Sequence, residues 1–213
     1  MSGIHDLALF VAAGLLLNVT PGPDLAYIGA RAAAGGFRDG VAAALGITAG
    51  CVVHTLAAAL GLSALLATSA MAFDVIKWCG AAYLLYAGLR LLAGSLKATR
   101  GNGEVRIVPP ASPWKIFREG LVINVFNPKV ALFFLAFLPQ FIAADAPAKA
   151  WSFVLLGCLF NFNSLFVIIP FAWLAGRAGR GFRESARAAR FLTGAVGALF
   201  VLLAARLATL QRS

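Results

Sequence analysis

Two ionisable side chains stand inside apolar stretches, each beside helix breakers. Asp24 lies in Asn18-Val19-Thr20-Pro21-Gly22-Pro23-Asp24, and Lys129 in Asn124-Val125-Phe126-Asn127-Pro128-Lys129. A charge in a membrane span costs about 2.5–3.5 kcal/mol on insertion scales, so it is rarely retained for packing. Asp24 could bind an ammonium or carry a proton. Lys129, with the amide donors near it, could bind a carboxylate. A cation and an anion at one level suit a zwitterion such as a free amino acid. The bland alternative is a structural ion pair that locks two parts of the chain together.

Other polar residues join the list. His54 has an unperturbed pKa near 6.5 and could relay protons, or it could hydrogen-bond a carbonyl. Asn161 and Ser164, at i and i+3, share a helical face and could line a cavity. Their alternative is interhelical hydrogen bonding, worth about 0.6 kcal/mol each on average. The candidate substrate contacts are therefore Asn18, Thr20, Pro21, Gly22, Pro23, Asp24, Asn124, Asn127, Pro128, Lys129 and Asn161. The candidates for proton coupling are Asp24 and His54.

The neighbours of the two charges dictate broken helices. Pro21 and Pro23 each remove a backbone donor, and Gly22 permits unusual dihedrals, so the first span should split near residues 20 to 24. Asn127 and Pro128 read as an N-cap and a first helical residue, so the fourth span should split or restart there. Such interruptions survive at membrane depth only when buried in protein or lining a wet cavity. Lys129 then falls at the positive end of a helix dipole, where a cation is unfavourable, and helix stability does not account for it. Counted helically, Asp24 lies about 10 Å in from Arg31 and Lys129 about 17 Å in from Arg118, so both could face one cavity.

The surrounding chain is a membrane protein. Of 213 residues, 61% are hydrophobic and 12% charged, and the mean hydropathy is +0.88. Soluble domains carry about 25% charged residues. Six apolar spans follow, at 6–30, 39–66, 73–94, 117–142, 150–175 and 188–209. The longest hydrophilic stretch divides them into a first three-helix unit (1–96), a loop (97–115) and a second three-helix unit (116–213). Thirteen of the 18 Lys and Arg residues fall near the first, third and fifth loops, and four fall on the other side. Positive charge stays inside, so those loops are cytoplasmic and both termini lie outside. The first apolar run has no basic lead and reads as a span, not a cleaved signal. Three spans per half make the halves inverted repeats if they are related, and paired broken helices are the usual pointer to a transporter site at the repeat interface.

The net charge of +10 sits in short loops, which fits membrane orientation and not nucleic acid. Arg177 to Arg190 would face anionic lipid. Cys51, Cys79 and Cys158 have no metal spacing and read as small packing residues. No catalytic motif, P-loop or cofactor fingerprint occurs, so the chain is not read as an enzyme and any energy must come from a gradient. Gly46 and Gly50, with Gly194 and Gly197, allow close helix contact, within the monomer first and across a homodimer seam second. A passive channel needs several protomers or rings of like charge, and here the charges are single and opposite. A scaffold with no transport would leave the broken helices without a purpose.

The chain resembles the LysE/RhtB family of amino-acid exporters. The resemblance is carried by Asn18 to Pro23, by Gly46-Ile47-Thr48-Ala49-Gly50 with His54, by Gly80 to Leu84 with Gly88, and by NVFNPKVALFFLAFLPQF from Asn124 to Phe141. It implies export of amino acids or related small metabolites across a bacterial inner membrane by proton antiport. Cys51 stands where similar sequences often carry a polar or acidic residue, which moves the proton-coupling expectation onto Asp24 or His54.

Overall fold

The computed structural model describes residues 3–64, 70–97, 109–143, 145–178 and 194–205 apart from 196, 199 and 203. Every long element is helical. Helix α1 is Leu7–Val19 and α2 is Pro23–Gly35. Helix α3, Phe37–Ala57, runs on through a π turn at Ala58–Leu62. Helix α4 is Ala70–Lys97 and α5 is Pro113–Val125. Helix α6, Pro128–Leu132, continues through a π turn at Phe133–Phe137 and a 3-10 turn at Leu138–Phe141. Helix α7 is Lys149–Ala178, and the described residues from 194 to 205 are helical. Among the described residues the only β pairing is an isolated bridge between Ile4 and Ile142.

Prolines set the breaks. A residue before proline is pushed out of the helical region. Thr20 and Gly22 are extended at the first break, as is Asn127 at the second. Pro23 and Pro128 then open the following helices, where a missing N–H costs nothing. The axes bend by 52° between α1 and α2 and by 48° between α5 and α6. The turn into α3 is a single glycine, Gly36, with φ +81°, a conformation that L side chains resist.

Phe37–Leu62 and Lys149–Ala178 are long and apolar enough to cross a membrane, and each bent pair qualifies as one span. That makes up to four spans among the described residues. Of the six read from sequence, 73–94 lies within α4, and 188–209 falls partly outside the described residues, as do most of the 97–115 loop and the stretch from Arg180 to Arg190.

One sequence reading needs correction. With the first span ending at residue 30, Arg31 counts among the cations of the first loop. It lies inside α2 and is 6% exposed. Its charge is met by a carboxylate on α5, so the helix carries on past it.

The core is divided. One apolar cluster joins α1, the end of α3, α6 and the first half of α7, through Phe10, Leu17, Phe133, Phe137, Phe141 and Phe160. The other joins α2, the start of α3, α5 and the second half of α7, through Leu25, Ile28, Ile47, Ile116 and Ile168. Helices α3 and α5 cross at glycine. A Cβ on Gly46 would overlap the Phe117 carbonyl oxygen, and one on Gly120 would lie 2.8 Å from that of Ala43. The Gly46/Gly50 surface is therefore used within the chain. Gly88 and Gly197 make a second close crossing.

Candidate functional site

The two breaks meet between the two apolar clusters. Helix α1 ends at Val19 with carbonyls that have no next turn to bond, and a helix C-terminus carries partial negative charge. Lys129 answers it from the other half of the chain. Its Nζ donates to the carbonyl oxygens of Leu17 (3.1 Å) and Thr20 (3.2 Å). This resolves the dipole problem seen in the sequence. The lysine backbone sits at the start of α6, but its ammonium lies at the favourable end of α1. Gly22 leaves it room, since a Cβ there would lie 3.3 Å from Nζ.

Asp24 occupies the first turn of α2, where a carboxylate suits the dipole. It is 8% exposed. Its Oδ2 accepts from Asn124 Nδ2 at 3.0 Å. Its Oδ1 is buried with no hydrogen-bond partner. No salt bridge joins Asp24 to Lys129 among the described residues. The structural ion pair weighed above is therefore not formed in this conformation. Gly22, the N-cap of α2, brings no side chain to cap the helix. The start of α6 is capped, because Asn127 Oδ1 accepts from Lys129 N at 3.0 Å.

Leu17, Asn18, Asp24, Leu25, Ile47, Cys51, Asn124, Lys129, Val130, Phe160, Ser164 and Ile168 enclose a cavity of about 20 Å³. That is room for one water. Asn18 Nδ2, Asn124 Oδ1 and Asn127 Nδ2 are buried without partners, like Asp24 Oδ1. Native proteins rarely leave such atoms unpaired, and a cluster of them marks a place for water or ligand.

The remaining candidates fall into place around this point. Thr20 closes α1, its hydroxyl donating to Leu16 O at 2.6 Å. Pro21, Gly22, Pro23 and Pro128 shape the breaks. His54 does not line the cavity. Its Nε2 lies 3.2 Å from the Asn124 carbonyl oxygen, and its ring stacks on Phe134. Asn161 also stands off the cavity and donates to Gly157 O at 3.0 Å, while Ser164, one turn on, is part of the wall. Cys51 is buried in the wall and Cys158 is exposed.

A polar cluster that the sequence reading missed ties α2 to α5. Arg31 Nη2 donates to Glu119 Oε2 at 2.5 Å, and Nη1 donates to Pro109 O at 3.0 Å. The Tyr27 hydroxyl lies 2.8 Å from Glu119 Oε2 and 2.9 Å from Ile116 O. On the other side of the breaks, Phe10 of α1 packs on Phe133, Phe137 and Phe141, with ring centroids 5.2–6.3 Å apart. The cavity thus has a polar clasp at one end and an aromatic plug at the other.

Comparison with known proteins gives a consistent result. The sequence profile of the LysE type translocator family matches residues 15–211. An uncharacterised membrane protein of Pseudomonas aeruginosa is 32% identical over 208 residues, 97% of this chain and 96% of that one. Leucine efflux proteins of Salmonella typhimurium and Salmonella choleraesuis are each 29% identical over 213 residues, 98% of this chain and 97% of theirs. No solved structure matches.

Proposed function

The chain belongs to the LysE type translocator family, and on that premise we propose that it is a secondary transporter exporting amino acids across a bacterial inner membrane in exchange for protons. One observation carries the reading: a half-satisfied carboxylate, Asp24, faces a cavity at the meeting point of two broken helices. Asp24 takes the ammonium of the substrate. Lys129, Asn18 and Asn124 supply donors for its carboxylate. Leu17, Leu25, Ile47, Val130, Phe160 and Ile168 line the rest of the cavity, which suits an uncharged aliphatic side chain. The efflux of leucine by Salmonella relatives supports that class.

At about 20 Å³ the cavity has room for one water and too little for an amino acid, which supports reading this conformation as an occluded one. Opening toward the cytoplasm parts the Tyr27–Arg31–Glu119 clasp. Opening toward the periplasm parts the phenylalanines of α1 and α6. The two halves, 1–96 and 116–213, act as inverted repeats with both termini periplasmic. Their match is local: Pro23-Asp24 and Pro128-Lys129 each put a charge second in a helix that follows a break.

Flux in proteoliposomes tests the reading. Saturable leucine efflux that depends on a pH gradient supports it. Non-saturating flux would make the chain a channel, and no flux with any amino acid would make it a scaffold.

A further inference from the structure

The Lys129 ammonium is held by two backbone carbonyls at the end of a half-helix, beside an unpaired carboxylate oxygen. In transporters built on broken helices, this kind of cradle holds the coupling cation. Here it is filled by a side chain of the protein itself. An α-ammonium of a substrate has the same chemistry as the lysine ammonium: a compact cation with N–H donors seeking carbonyls and a carboxylate. Asp24 and the α1 carbonyls can serve either one, and two cations in a cavity of about 20 Å³ repel strongly.

We infer that Lys129 carries the coupling proton, and that its ammonium occupies the place taken by the substrate's own ammonium during transport. The inference rests on the transport reading above and adds the identity of the proton carrier. With the site open to the cytoplasm, the Nζ–H bond breaks, its electron pair stays on nitrogen, and the proton leaves to water. The substrate ammonium then takes the cradle. The neutral lysine amine keeps two N–H donors, which still meet the substrate carboxylate. On the periplasmic side the substrate leaves, and a proton from water restores the ammonium. One proton enters for each amino acid exported.

The groups facing Lys129 are few. Asp24 faces it from α2 and Cys51 from α3. His54 of α3 turns to the Asn124 carbonyl, Glu119 of α5 to Arg31, and Arg90 of α4 to Tyr86. Helix α1 has no titratable residue. On α7, Lys149 and Arg177 stand at the ends, and Cys158 is exposed. Among the described residues Asp24 is thus the one carboxylate near the ammonium, and it is the group the substrate also needs.

The test is leucine binding by calorimetry at several pH values on purified full-length protein, with transport in proteoliposomes beside it. Wild-type affinity rises about tenfold per pH unit while Lys129 holds its proton, as one-proton competition requires. Lys129→Gln, with no proton to lose, binds leucine with no pH dependence. It exchanges leucine across the membrane but loses uphill efflux. Lys129→Arg, a permanent cation, neither binds nor exchanges. Lys129→Arg keeps the wild-type melting temperature in detergent, which separates lost binding from misfolding. A Lys129→Gln protein with wild-type pH dependence, or a Lys129→Arg protein that pumps uphill, would overturn the inference and leave the transport reading standing. PH dependence lost in Asp24→Asn but kept in Lys129→Gln would move the proton to Asp24. A wild type that moves no amino acid overturns both.

Discussion

At the scale of single residues, types were readable from sequence and reach was not. Asn127 reads as an N-cap from its place before Pro128, and its side chain does accept from Lys129 N. Asn127→Ala should lower stability by about 0.5–2 kcal/mol, seen as a lower melting temperature in detergent. Lys129 reads as misplaced, because a sequence gives the position of a backbone and not the end of a four-carbon side chain. Its ammonium travels to carbonyls more than 100 residues earlier in the chain. Asp24 is legible as a buried acid, but its partner Asn124 is not, since nothing local links positions 100 apart. Asp24→Asn removes the charged half of the proposed contact with the substrate ammonium. Charge-assisted hydrogen bonds are worth about 1.5–3 kcal/mol, so leucine affinity should fall about 10- to 100-fold while the protein still folds. Unchanged affinity in a binding titration would remove Asp24 from the site.

At the scale of elements, prolines announced both breaks, and the apolar runs announced the long helices. Arg31 misled because a charge at the end of an apolar run reads as a loop. Its partners, Glu119 and the Pro109 carbonyl, lie 88 and 78 residues away, and they meet its charge within α2. Removing Glu119 leaves the buried Arg31 guanidinium without its counter-charge. The crossing of α3 and α5 is more exacting. Gly46→Val places a branched side chain where the Phe117 carbonyl stands, and overpacking of this kind costs about 1–3 kcal/mol or more. Gly94→Ala meets nothing within 4 Å and should stabilise α4 by up to about 1 kcal/mol, since alanine suits a helix better than glycine. Melting temperatures of the two variants should therefore move in opposite directions.

At the scale of the molecule, two apolar clusters flank a polar layer where both long bends fall, and the proposed alternating access rests on that division. Composition and charge placement showed a membrane protein. They could not show that the clasp and the aromatic plug sit on opposite sides of one cavity, because that depends on how α1 pairs with α6 and α2 with α5. Native Cys51 in the cavity wall reports the state of the clasp. With Cys79 and Cys158 replaced by serine, Arg31→Ala should speed alkylation of Cys51 by N-ethylmaleimide. The gain should be about tenfold for each 1.4 kcal/mol by which the clasp favours closure. The most direct measurement of the whole account is leucine movement in proteoliposomes under an imposed pH gradient, compared with the same vesicles after the gradient is collapsed. The account predicts saturable uphill flux with the gradient and only downhill exchange without it. Flux that is indifferent to the gradient, or that never saturates, would contradict it.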